Sequence, residues 1–187
     1  MDFSRRDAAI RLTTLLGLTM VGPRLAEASF DPAQTGAFTA ADIALLDEIG
    51  ETIIPATDIP GAKAAGIGRF LAMMISDCYT PVEQQVIRDG LARLATGFTA
   101  RFGGSFVAGS PANRTAYLTD LDREQKAVQQ NLAAGALPHY FRILKELTIL
   151  GYFSSEIGAT QALRYAEVPG SYDGNAPYTR GQRAWFN

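Results

Sequence analysis

The segment TAADIALLDEIGETIIP, residues 39–55, carries the clearest helix pattern of the chain. Its apolar residues recur at steps of three and four positions, which places them on one face of an α-helix. These residues are Ile43, Leu46, Ile49 and Ile53. The stretch opens at residues 39–42 and ends at Pro55, because proline lacks the amide hydrogen that a helix interior needs. The segment therefore predicts an amphipathic helix.

Two further helices are predicted from apolar spacing and capping residues. Residues 67–75 repeat the helical spacing, and this helix is expected to end near Asp77. At residues 80–83, the string Thr-Pro-Val-Glu combines a hydroxyl N-cap, a proline at the first helical position and a glutamate placed for a capping box. The apolar face that follows is expected to comprise Val82, Val86, Leu91 or Ile87, Leu94, Phe98 and Phe102. Gly103 and Gly104 are expected to stop this helix.

Three more helices are predicted in the second half of the chain. Ser110 and Pro111 repeat the cap-and-proline start, and a polar stretch at residues 122–130 follows. The apolar residues between them are Tyr117, Leu118 and Leu121. After Pro138 comes a helix that carries Phe141, Leu144, Leu147, Thr148 and Tyr152. Residues 155–165 resemble one more short helix. No long alternating segment indicates a strand, so we predict an all-α single domain of about six helices.

The first 28 residues have the order of an export signal. A basic region is followed by an uncharged, largely apolar stretch at residues 12–22 and then by two alanines spaced Ala-x-Ala before a cleavage point. The residues that carry the signal are Arg5, Arg6, Ala26 and Ala28. The apolar stretch is too short to span about 30 Å of hydrocarbon. We predict a twin-arginine signal peptide at residues 1–28, a helical domain at residues 29–167 and a periplasmic location.

Composition excludes several classes of function. With 17 Lys and Arg against 19 Asp and Glu, the formal net charge is −2, so no basic surface for a nucleic acid is expected. One cysteine and one histidine cannot supply a Cys- or His-rich zinc site. His139 follows Pro138 and is expected to cap a helix or to pack in the core. Cys78 is interpreted either as a small buried side chain or as half of a disulfide to another chain.

Two groups of carboxylates are candidates for acid–base chemistry. They comprise Asp47, Glu48, Glu51, Asp120, Asp122 and Glu124. A general acid needs a pKa raised by burial, and these positions look solvated, so we interpret them as polar helix faces. The glycine-containing string at residues 61–68 follows a loop instead of a strand and is not expected to bind a dinucleotide. We predict no catalytic, cofactor-binding or metal-binding residue on this chain.

The C-terminal tail, residues 168–187, differs in character from the preceding helices. Its glycines and prolines prevent a regular helix. Its large aromatic residues are nevertheless too apolar for an idle disordered segment. They are Tyr172, Tyr178, Trp185 and Phe186. An irregular, extended tail that docks these residues is predicted, either on its own domain or on a partner, and we take them as candidate interface residues.

Three blocks of the sequence resemble the gluconate 2-dehydrogenase subunit 3 family. The blocks are LLDEIGETIIPATDIPGAKAAG at residues 45–66, DCY at residues 77–79 and LTILGYFSSEIG at residues 147–158. The resemblance covers most of residues 40–178. It implies a small, non-catalytic subunit of a periplasmic sugar or polyol dehydrogenase. In such complexes the large subunit, of the glucose-methanol-choline type, binds FAD, and a cytochrome c commonly accepts the electrons.

The same resemblance implies a role in assembly and export. The small subunit would carry the twin-arginine signal, bind a large subunit that lacks one, and help it to fold, take up FAD and leave the cytoplasm, as a chaperone does. Association with a membrane through the complex is left open. The alternative is a free-standing periplasmic helical binding protein, which would have no flavoprotein encoded beside it.

Overall fold

The computed structural model describes residues 38–168, 170 and 174–186, which all lie within one compact unit, Thr35–Asn187. Its α-helices are α1 (Ala40–Ile53), α2 (Ile67–Cys78), α3 (Pro81–Phe102), α4 (Pro111–Gln130) and α5 (Tyr140–Ser154). A π-helical turn, Gly158–Ala162, follows α5. Within these described ranges the β-structure consists of an isolated bridge between Arg164 and Trp185. The prediction of an all-α domain is confirmed.

Side chains at the helix starts satisfy amide hydrogens that have no partner inside a helix. Thr80 and Glu83 form the predicted capping box of α3, with the Thr80 amide donating to the Glu83 carboxylate over 2.8 Å. Ser110 caps α4 as predicted. His139 caps α5, since its Nδ1 accepts from the Phe141 amide at 3.2 Å. The expected capping role of His139 is therefore confirmed.

Helix α5 is the centre of the domain, because it contacts each of the other four α-helices and the π-helical turn. Its buried side includes Phe141, Leu144 and Leu147, as the apolar spacing predicted. Full burial of such a side chain stabilises the fold by about 1.5–3 kcal/mol. Helix α3 approaches α5 so closely that a Cβ atom at Gly90 would overlap the ring of Tyr140. Glycine at this position therefore sets the α3–α5 distance.

The structure corrects part of the predicted α3 face. Val82 is 63% exposed, whereas Ile87 and Leu91 are both buried. Val82 precedes Ile87 by five residues, which places it about 140° around the helix from the buried stripe. Ile87 and Leu91, which the sequence offers as alternatives, therefore both lie on the buried face of α3.

Further differences concern α4, the end of α2 and the segment after α5. The polar stretch at residues 122–130 belongs to α4, which ends at Gln130, and Gln125 is buried within it. Cys78 is exposed, because the buried face of α2 ends at Ile75, so the interpretation as a buried side chain is wrong. A disulfide to another chain stays a prediction.

The short helix expected at residues 155–165 is largely the π-helical turn.

No helix in the described ranges is both long and apolar enough to cross a bilayer. The predicted export residues Arg5, Arg6, Ala26 and Ala28 lie outside the described residues, as does Tyr172 of the tail. Their roles stay predictions.

Candidate functional site: a braced loop and exposed apolar surfaces

The carboxylate of Glu51 holds both ends of the loop between α1 and α2. Its Oε1 accepts a hydrogen bond from the Ala56 amide at 2.9 Å, and its Oε2 accepts one from the Lys63 amide at 2.9 Å. The Tyr152 hydroxyl of α5 donates to the Pro60 carbonyl at 2.8 Å. A segment rich in proline and glycine is thus fixed against two helices.

Glu48 is a buried carboxylate between two cations. One of its oxygens contacts the Lys63 ammonium and the other contacts the Arg114 guanidinium. The bond to Glu48 raises the pKa of the Lys63 ammonium above its ordinary value. Arg114 also carries a buried Nε without a hydrogen-bond partner. The prediction of a solvated position is therefore wrong for Glu48, because Arg114 of α4 and Lys63 of the loop cover it.

Asp47 supplies a cap that the sequence of α2 lacks. The N-cap residue of α2 is Gly66, which has no side chain, and the Asp47 Oδ1 accepts instead from the Gly68 amide at 2.7 Å. Burial raises the pKa of the Asp47 carboxyl, and the Gly68 hydrogen bond opposes that rise. Asp47, Glu48 and Glu51 of α1 thus bond to the loop and to the start of α2, which is a structural role for residues expected to form a polar face.

The carboxylates of α4 link neighbouring helices. Asp122 contacts Lys126 at 2.7 Å and Lys145 of α5 at 2.6 Å. These contacts lower the pKa of the Asp122 carboxyl to about 2. Asp120 is partly exposed and contacts Arg101 of α3 at 2.7 Å. The interpretation as a polar face fits Asp120, whereas Asp122 forms an ion pair between α4 and α5.

No group of three or more His, Cys, Asp or Glu side chains in the described part of the chain could hold a metal ion. An open groove of about 450 Å³ beside the loop is lined by Glu48 and Glu51, among others. Both carboxylates already accept hydrogen bonds from the loop. The groove therefore offers bonded structural groups instead of a poised acid–base pair.

The second half of α5 exposes large apolar side chains. Ile149, Leu150 and Phe153 are exposed, although the opposite side of the same helix forms the core. A helix that is apolar all round is normally covered on both sides. We name these three residues the α5 patch. The signal in the sequence is the string LTILGYF at residues 147–153, whose apolar residues exceed what one face can bury.

The C-terminal tail folds back on the end of the helical domain. The Arg164 amide donates to the Ala184 carbonyl at 2.8 Å, and the Phe186 amide donates to the Arg164 carbonyl at 2.9 Å. The Arg164 guanidinium lies 3.9 Å from the centre of the Trp185 ring, and the rings of Tyr165 and Phe186 are 5.9 Å apart. We name this set of contacts the clip.

Even in the clip, Trp185 is 51% exposed, and Tyr178 is 72% exposed. In the clip, Trp185 contacts Arg164 and Phe186 contacts Tyr165, whereas Tyr178 is largely exposed. Whether a partner covers these side chains stays a prediction.

The clip is held by a small set of contacts. Its two hydrogen bonds contribute about 1 kcal/mol each, the cation–π contact and the ring pair contribute about 0.5–1 kcal/mol each, and the buried apolar surface of Trp185 and Phe186 adds to these. Closing a loop of about 20 residues costs about 3 kcal/mol in chain entropy. Chain entropy therefore offsets part of what the clip contacts contribute.

The family model of gluconate 2-dehydrogenase subunit 3 matches residues 40–170, about 70% of the chain. Neither a curated protein nor a solved structure matches the chain significantly. The matched range begins at the first residue of α1 and includes the loop between α1 and α2 and the α5 patch. It contains the three sequence blocks from which this resemblance was predicted. The chain therefore belongs to the gluconate 2-dehydrogenase subunit 3 family.

Proposed function

We propose that this chain is the non-catalytic small subunit of a periplasmic, FAD-dependent sugar or glycoside dehydrogenase. The catalytic subunit would be of the glucose-methanol-choline type and would hold the FAD, while a cytochrome c in the wider complex would take the electrons. The small subunit would support assembly, stability and export of the catalytic subunit. The observation that carries this proposal is the family match, which extends over all five α-helices.

Two features of the structure support an accessory role. Glu51 bonds to the loop and Asp47 bonds to α2, so these carboxylates serve the fold. The α5 patch exposes three large apolar side chains side by side, and clustered exposed apolar residues are typical of protein–protein contacts. In the proposed complex the α5 patch contacts the catalytic subunit.

Co-purification tests the proposal. The full chain, tagged at its C-terminus, should retain the flavoprotein encoded beside it, identified by mass spectrometry and by a flavin absorption spectrum. The tagged chain expressed alone should show neither flavin absorbance nor sugar oxidation. A chain that purifies without a flavoprotein from its native host would favour the alternative, a free-standing periplasmic binding protein, and stoichiometric FAD on the chain alone would contradict a non-catalytic role.

A matched pair of variants tests the role of the α5 patch. Leu150→Glu places a charge in the patch, and Val82→Glu places the same charge at an exposed valine on α3. Loss of a central apolar anchor costs on the order of 2 kcal/mol, which is about a thirtyfold loss of affinity. Leu150→Glu should therefore release the flavoprotein and Val82→Glu should retain it. Equal retention by both variants would remove the patch from the interface.

Export tests the signal at residues 1–28. Replacing Arg5 and Arg6 by Lys should keep both the chain and the dehydrogenase activity in the cytoplasm, because the twin-arginine machinery reads the arginine pair. Arg11→Lys is the matched control, since it changes a neighbouring arginine outside the pair. Normal periplasmic activity of the double variant would exclude this route.

A further inference from the structure

We propose that the C-terminal tail is a releasable strap, held on its own subunit by the clip and released when the catalytic subunit binds. On release, Trp185 and Phe186 exchange their contacts with Arg164 and Tyr165 for contacts with the catalytic subunit. This inference rests on the proposed function, because the catalytic subunit is the partner that opens the clip.

The contacts of the clip are few and exposed to water. It consists of two backbone hydrogen bonds, which form the isolated bridge at Arg164, and two ring contacts. Trp185 remains half exposed in it, whereas Phe186 is mostly covered. The exposed half of the Trp185 side chain can still be buried against a partner. The clip therefore leaves half of the Trp185 surface and most of the Tyr178 surface uncovered.

The entropy of loop closure offsets part of the clip contacts, so opening the clip costs less than the contacts alone would indicate. A partner that buries more of Trp185 than the clip does then shifts the equilibrium to the open form. Residues 166–187 would reach on the order of 70 Å if extended, far enough to cross the surface of a larger subunit.

Removal of one clip contact separates a releasable strap from a permanent one. Arg164→Leu removes the cation above the Trp185 ring and keeps the backbone hydrogen bonds. Tyr165→Ala removes the second ring contact and should act in the same direction. Arg123→Leu is the matched control, because this exposed arginine contacts Asp120 instead of the tail. Far-UV circular dichroism of each variant checks that the helices are retained.

Trp185 is the single tryptophan of the chain, so it provides a specific probe. The full chain labelled with 5-fluorotryptophan gives one ¹⁹F resonance, which is recorded free and with an unlabelled flavoprotein catalytic subunit. In the free chain, Arg164→Leu should move the resonance towards its position in a denatured chain. In the complex, wild type and variant should give the same resonance, because the clip is open in both.

Affinity gives an independent reading. If the clip competes with the partner, Arg164→Leu should bind the flavoprotein about two- to fivefold more tightly than wild type, since loss of one exposed cation–π contact disfavours the closed form by about that factor. Weaker binding by Arg164→Leu, or distinct Trp185 resonances in the two complexes, would overturn the strap. Absence of binding by the wild-type chain would instead overturn the proposed function, and the strap with it, so the two failures are distinguishable.

Discussion

Replacing Glu48 by Gln should lower the free energy of unfolding of this subunit by about 3 kcal/mol. The Glu48 side chain is 9% exposed and contacts Arg114 with one oxygen and Lys63 with the other. Glutamine keeps the shape but carries no charge, and only one of its two polar ends accepts hydrogen bonds. The Arg114 side chain is 13% exposed, so water replaces the lost partner only in small part.

The magnitude follows from the burial of the two cations. Removing one partner of a buried ion pair costs about 3–5 kcal/mol, because the other charge stays buried and uncompensated. The Lys63 side chain is 55% exposed, so its share is reduced by solvent to below about 1 kcal/mol. The lower end of the range therefore applies. The double variant Glu48→Leu/Arg114→Met should be more stable than Glu48→Gln, since it also removes the unpartnered Arg114 Nε.

Urea denaturation followed by far-UV circular dichroism measures the effect, with each midpoint converted to a free energy through the measured slope. Asp120→Asn is the control, because the ion pair between Asp120 and Arg101 is largely exposed and should contribute little. A loss below about 1 kcal/mol for Glu48→Gln would refute the reasoning. So would a double variant less stable than the single one.

Three further predictions concern packing, pH and the tail. Gly90→Ala should lower the melting temperature by several degrees, because overpacking against Tyr140 costs about 1–3 kcal/mol. Gly104→Ala, with no atom within 4 Å of the added methyl group, should leave it unchanged, and equal melting temperatures would contradict the packing argument. Asp122 has a folded-state pKa of about 2 against an ordinary 3.8, so its stabilisation should be complete above about pH 5 and should be lost as the pH falls towards 2. Urea midpoints of Asp122→Asn between pH 2 and 6 should therefore change less than those of wild type, and parallel curves would disprove the assignment. Deleting residues 168–187 should weaken binding of the flavoprotein about thirtyfold with little loss of helix, whereas unchanged affinity with a lower melting temperature would assign the tail to the fold alone.

The helices were predictable because their signals are local. At Thr80 and Glu83, the residues that start α3 lie within one turn and satisfy each other directly. The buried face of α5 follows from a spacing of three and four residues. Such signals do not depend on what the helix packs against, so the sequence alone is enough to predict the helices.

The environment of the α1 carboxylates was not predictable in the same way. Glu48 becomes buried because Arg114, 66 residues later in the chain, covers it. No local sequence pattern predicts that pairing. The buried alternative for Cys78 follows from its residue type, whereas its position at the end of α2 decides its exposure. The α5 patch has a signal in its all-round apolar composition, whereas the helical spacing predicts only the buried face.

The double hold of Glu51 on its loop also limits how the chain can change in length. The amides of Ala56 and Lys63 meet the same carboxylate, so a deletion between them would pull one amide away from its acceptor. An added residue has room only at the exposed tip around Asp58. Among related sequences, insertions and deletions should therefore fall in the connections at residues 103–110 and 131–139, while the spacing between α1 and α2 stays constant.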